Sequence, residues 1–301
     1  MKRLLPLVLL FALAPAADAR ADDALPLCAE PDASGLPEDP DADPARRLET
    51  LARWEQEGPT TTQKLRMGAL YRLGRKHPAA LLDADLKKAR ELLEGAALDG
   101  DLTAMASLAE LELAHGDPMS GMVWAQLYAH YAQIRSPSRQ RTYQADLIRR
   151  AFAALPSDQR TDDKVTGSVM AVLERSGPRI EAGFAGQGND ADTTGPRCRP
   201  LSEAFPTELV SSKRVRLSGG HNTVRRHGLN QPGMALFRVH VAPSGEVSQA
   251  LVVESLPGPV AGEALKASVL RLRFNAVADD APTRTVLLPM IYDDHSVRIR
   301  N

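Results

Sequence analysis

The chain has 301 residues, of which 43% are hydrophobic, 25% charged and 4% aromatic, the balance of an ordinary folded protein of one to three domains. Its 37 Lys and Arg stand against 38 Asp and Glu, a formal charge of −1, which argues against a protein that binds nucleic acid by bulk charge.

At the start, Lys2 and Arg3 precede the apolar run Leu4 to Ala14, and Ala17-Asp18-Ala19 offers small residues for cleavage before Arg20. This is a secretory signal pattern over residues 1–19, and the run is shorter than the roughly 20 residues of a membrane-spanning helix. Cleavage would give a periplasmic protein with no membrane span; a retained segment would anchor it in the inner membrane. Leu27 stands where lipidation of Cys28 wants a small residue, which argues against a lipoprotein. Residues 20–44, rich in Asp, Pro and Ala, read as a flexible leader. Asp39, Asp41 and Asp43 imitate the opening of a calcium loop, but Pro44 and Thr50 occupy the positions that need Gly and Glu.

Residues 45–176 read as helical with Gly and Pro at the joints. Ala69, Leu73 and Gly74 recur 35 residues later as Ala104, Leu108 and Ala109, and Ala89, Leu92, Leu93, Ala96 and Ala97 recur as Trp124, Leu127, Tyr128, Tyr131 and Ala132. Asp117 and Ser136 stand as N-caps before Pro118 and Pro137. The stretch Leu86 to Ala132, with joints at Gly95-Ala96-Ala97, Asp99-Gly100-Asp101 and His115-Gly116-Asp117, resembles Sel1-like repeats, relatives of tetratricopeptide repeats. The resemblance implies a solenoid that binds proteins or peptides. Trp124, Tyr128 and Tyr131 are then candidates to line a recognition groove, or else the bulky half of the inter-helix packing. His115 and His130 have no companion at metal-ligand spacing.

Residues 177–206 change composition, with Gly183, Gly186, Gly188 and Gly195 among Asp and Thr, and read as a linker. Cys198 lies in it, and an oxidising compartment would allow a disulfide with Cys28. The approach to the C-terminal module is basic through Arg197, Arg199, Lys213, Arg214, Arg216, Arg225, Arg226 and Arg238. That bias suits an acidic peptide or anionic surface, or simply a solvated face.

Residues 207–301 hold the clearest pattern. Leu236 to Val241 alternates, with Phe237, Val239 and Val241 on one face and Arg238 and His240 on the other; Pro243, Ser244 and Gly245 supply a turn; Val247 to Glu254 alternates again. This predicts a hairpin with one buried face. Ala261, Leu265, Val269 and Leu272 recur at helical spacing, and Val286 to Tyr292 is an apolar run. The first strand, the turn at Gly245, Val252-Val253-Glu254-Ser255, the helix Gly262 to Leu272, Arg273-Phe274-Asn275-Ala276 and Leu288-Pro289-Met290-Ile291 together resemble the C-terminal domain of the TonB energy-transducer family, over about a fifth of the chain.

The fold class expected is multidomain, α then α+β: a helical-repeat solenoid followed by a small antiparallel sheet packed with one helix. The resemblance implies capture of a segment of an outer-membrane transporter by strand addition, with Thr285 to Tyr292 as the edge strand and Val286, Leu288, Met290, Ile291 and Tyr292 as partner-binding residues. Pro289, which has no ladder donor, suits an edge, and such an edge also admits a second copy of the chain. The sequence contains no G-x-S-x-G, H-E-x-x-H, phosphate-binding G-x-x-x-x-G-K or C-x-x-C. No catalytic residue, metal site or cofactor is therefore assigned, and the expected protein is a non-enzymatic periplasmic adaptor. The alternatives are a membrane-anchored transducer and, less favoured, a cell-envelope hydrolase.

Overall fold

The computed structural model of the chain describes residues 35–135, 142–186, 207–210, 231–293 and 296–299. Helices come first: α1 (Pro44–Glu57), α2 (Thr61–Leu73), α3 (Leu86–Leu98), α4 (Leu102–His115), α5 (Pro118–Arg135), α6 (Thr142–Ala154) and α7 (Asp162–Gly186). Their starts are chemically marked. Thr60 and Gln63 form a reciprocal capping box on α2. Asp85, Asp101 and Asp117 accept from Lys88 N–H at 3.0 Å, Ala104 N–H at 2.8 Å and Ser120 N–H at 2.9 Å at the starts of α3, α4 and α5. The Asp117 cap is thus as expected, whereas Ser136 lies outside the described residues.

Consecutive helices from α2 to α6 pack on one another, with additional contacts of α4 to both α2 and α6 and of α7 to both α3 and α5. The result is two layers, with α2, α4 and α6 in front and α3, α5 and α7 behind. The repeated positions carry the packing: Ala69, Ala104, Leu108, Ala89, Leu93, Ala96 and Ala97 are all buried.

Two boundaries differ from expectation. Residues 177–186 are the last turns of α7, with Pro178 inside the helix, and do not open a linker. Gly183 is there because α7 passes close to the α3–α4 joint: a Cβ on it would lie 2.2 Å from the Asp99 carbonyl oxygen. Arg179 ties down the same joint with a 2.7 Å ion pair to Asp99. The end of the leader is also fixed, since Leu36 and Glu38 are buried and Arg47 of α1 donates to the Pro37 carbonyl at 2.9 Å.

The C-terminal part is a four-stranded antiparallel sheet of β1 (Gly233–Val241), β2 (Val247–Leu256), β3 (Arg284–Asp293) and β4 (Ser296–Ile299), in the order β2-β1-β3-β4. The turn before β2 needs Gly245, which has φ +84° and would place a Cβ 2.1 Å from the Phe274 carbonyl oxygen. Helix α8 (Pro259–Val269) covers one face, where Ala261, Leu265 and Val269 meet Phe237, Val239, Val241, Val252 and Met290. The chain is therefore α then α+β, as expected. The opposite face is buried too, where a face to solvent was expected: Met234, Leu236, Val253, Leu256 and Ile291 belong to the same core as Leu108, Leu111, Tyr128 and Tyr143 of the helical array. Front-layer helices make this contact, α2 and α4 against β2 and α6 against β3.

Candidate functional site

The junction between α2, α4 and β2 gathers charge where apolar packing would suffice. Glu254, fully buried near the end of β2, receives Arg72 Nη2 on Oε1 at 2.6 Å and the Ser107 hydroxyl on Oε2 at 2.7 Å. Its Oε1 also accepts the Ser255 N–H at 2.7 Å, while Arg72 donates to the Ser255 carbonyl at 2.7 Å. In an antiparallel ladder, backbone groups alternate between the two sides of a strand. Ser255 gives its N–H to Glu254 Oε1 and its carbonyl to Arg72, so both its backbone groups turn away from β1. Arg72 and Glu254 thus occupy the outward backbone groups of an edge strand, which closes that end of β2 to further pairing.

Beside this pair sits a second cluster. Burial opposes ionisation of Glu38, but Arg66 at 2.6 Å, with Arg238 at 3.6 Å, holds its carboxyl below the usual carboxylate range. Arg66 also lies 4.4 Å from the centre of the Trp54 ring. His77 is buried between these clusters, its Nδ1 accepting the Ala79 N–H at 3.0 Å. Burial pushes the imidazole below the ordinary histidine range, against the pull of Glu254, the Val253 backbone and Glu38.

The helical array has its own buried ionic centre. Glu110 of α4 accepts the Tyr143 hydroxyl at 2.9 Å and two bonds from Arg150 at 2.7 and 2.5 Å, and Arg150 also reaches Asp146 at 2.7 Å. Burial, then Glu110, pushes the Tyr143 phenol well up. Arg90 likewise holds Glu112. These centres are signalled in the sequence only by charges inside apolar stretches, as in Leu108-Ala109-Glu110-Leu111-Glu112, which carry no spacing rule.

The expected groove residues do not form an open groove. Tyr128 is fully buried, its hydroxyl donating to Met234 Sδ at 3.7 Å across the helix–sheet junction; Tyr131 packs on Phe184 at 5.2 Å between ring centres; Trp124 is buried in the same core. Their bulk fills inter-helix space, the second of the two roles the sequence left open.

The expected edge strand is likewise internal. β3 lies between β1 and β4, and β4 pairs with Met290–Asp293. Leu288, Met290 and Tyr292 are buried toward α8, Ile291 toward the helical array, and Val286 is half-buried. The described pairing runs from Met290↔Ile299 to Asp293↔Ser296. Pro289 has no ladder donor, so its position suits the side away from β1, and alternation gives Leu287 the same side.

Comparison of the chain with family models, curated proteins and solved structures returns no match.

Cys28 and Cys198 lie outside the described residues. Among the described residues no group of three or more His, Cys, Asp or Glu is placed to hold a metal ion, and no helix is long and apolar enough to cross a membrane. An open cleft at the start of α7 is lined by Asp117, Asp158, Asp163 and Lys164. Asp117 is engaged in capping α5, and Lys164 Nζ donates to the Asp158 carbonyl at 2.6 Å.

Proposed function

We propose that the chain is a non-enzymatic, exported protein-binding protein in which the helical array is a rigid scaffold and the sheet captures an extended segment of a partner by strand addition. The observation that carries this reading is that the described part of β4 pairs with Met290–Asp293 alone. Among the described residues no strand pairs with the outer side of Val286–Pro289, where Leu287 is 40% exposed. A partner strand laid there would extend the line of β4, with main-chain hydrogen bonds for affinity and alternate side-chain pockets for selectivity. Met290, Ile291 and Tyr292 then support the site from within and do not touch the partner. The likeness of the sheet and α8 to the TonB C-terminal domain favours a segment of an outer-membrane transporter as that partner, and the same edge suits a second copy of the chain.

A photo-crosslinker at Leu287 of the tagged full-length chain, used in cells with mass spectrometry of the adducts, tests the reading. Adducts to an outer-membrane protein are expected, and Leu287→Pro, which removes an outward N–H, should abolish their capture. Adducts only to the chain itself would assign the edge to a homodimer; adducts unchanged by Leu287→Pro would sink strand addition. The N-terminus of the recovered protein separates a cleaved form starting near Arg20 from an anchored transducer starting at Met1.

A further inference from the structure

His77 is a histidine buried at the junction, and its place there goes beyond partner capture. We propose that His77 is an acid-sensitive latch between the helical array and the sheet: proton uptake by its ring unseats the α2–β2 seam. The residue follows the short 3₁₀ turn Gly74–Lys76 at the end of α2 and is 2% exposed. Because Nδ1 accepts the Ala79 N–H at 3.0 Å, the neutral ring carries its proton on Nε2. A second proton must go onto Nδ1, where it meets the Ala79 N–H, and two donors then face each other with no acceptor between them.

The turn that would have to yield is already tightly held. The Ala80 N–H donates to the His77 carbonyl at 2.8 Å, Ala80 sits at φ +45°, and Arg47 of α1 donates to the Ala79 carbonyl at 2.8 Å. The charged groups around the ring come from every element packed there. Glu254 of β2 is committed to Arg72 of α2, and Glu38 of the leader to Arg66 of α2, with Arg238 of β1 at 3.6 Å. Glu254, the Val253 backbone and Glu38 favour a cation on the ring, and Arg72 opposes it. Burial is the largest influence on the ring and outweighs that pull, so the closed seam favours the neutral form.

The sign follows from linkage. A histidine whose folded value is depressed binds more protons when the seam is open, so the closed seam is favoured at high pH. That preference is lost as pH falls from the ordinary value of 6.5 toward the lower folded value. Over that window the opening equilibrium should rise roughly tenfold per pH unit. Opening frees the outward groups of Val253 and Ser255, so the latch governs whether the β2 edge is available.

Hydrogen exchange of the full chain between pH 7.5 and 5.0, corrected for intrinsic rates, tests this. Protection of the amides of 77–80 and 253–256 should fall by that factor on acidification and recover on return, while the α8 face of the sheet stays protected. In His77→Gln, whose amide oxygen can still accept from Ala79 N–H, the pH dependence should vanish; its persistence there, or unchanged protection in the parent, overturns the latch. Should the variant fail to fold, an NMR titration of the His77 ring in the parent chain decides. A midpoint below 6.5 supports the proposal, and one at or above 6.5 refutes it.

Discussion

The two faces of the sheet are built on different chemistry. Against α8 the contact is chiefly apolar, with the Ser255 hydroxyl accepting the Gly262 N–H at 2.8 Å at its edge, and its residues lie within about 60 positions of one another. Against the helical array, an apolar patch from Met234 to Ile291 is bordered by Glu254, Arg72, Ser107, Glu38, Arg66 and Arg238, among which Arg72 and Glu254 are 182 residues apart. Hydrophobic contact is non-directional, so an apolar face alone would let the sheet slide on the helices. The buried bonds of Glu254 fix one seating, and the difference between the faces is one between cohesion and register.

The largest test of that comparison separates the regions. Expressed alone, residues 207–301 should not fold cooperatively, because Met234, Leu236, Leu256 and Ile291 would each return to water a side chain worth about 1.5–3 kcal/mol of burial, against the few kcal/mol a small domain possesses. Lost amide dispersion in an NMR spectrum is the expected outcome. A dispersed spectrum from this fragment would make the α8 face sufficient.

Next comes a pair of substitutions, one on each face. Phe237→Ala, against α8, should cost about 3–5 kcal/mol through the cavity it leaves, and nothing on the opposite face can restore it. Glu254→Leu should cost a similar 3–5 kcal/mol, for a different reason: it strands the Arg72 guanidinium in the core. Adding Arg72→Met should recover most of that loss, since a well-packed apolar pair is often as stable as a buried ion pair. Urea melts of the four proteins check the cycle. Recovery of stability with broadened spectra at the junction would mark the pair as a register device; no recovery would mark it as a net stabiliser.

This division also explains what could be read from the chain. Strand, turn, strand, helix and strand from 233 to 293 follow from alternation and helical spacing in short windows, and the paired helices from a repeat with capped starts. β4 was missed because four residues show too little alternation to signal a strand. The tail of α7 is hidden in the sequence because Gly183 reads as punctuation, when it makes room for the Asp99 carbonyl. The junction itself was illegible: Arg72, Ser107 and Glu254 sit in three distant elements, and one-sided burial was inferred for β1 because Arg238 and His240 break its apolar face. Buried charges gave no warning, since a charge run is usually solvated.

The smallest effect expected lies in the helical array, where Glu110 repeats the logic of Glu254 with more partners. Tyr143→Phe removes one neutral donor at 2.9 Å and leaves both bonds from Arg150 in place. The carboxylate therefore stays paired, and the loss should be that of a single hydrogen bond, about 0.5–1.5 kcal/mol, seen as a shift in the urea midpoint at unchanged slope. A loss of several kcal/mol would mean that Tyr143 holds Arg150 and Glu110 in register, as Arg72 and Ser107 hold Glu254. Buried ionic centres would then be the ordering elements of both halves of the molecule, with α8 the exception.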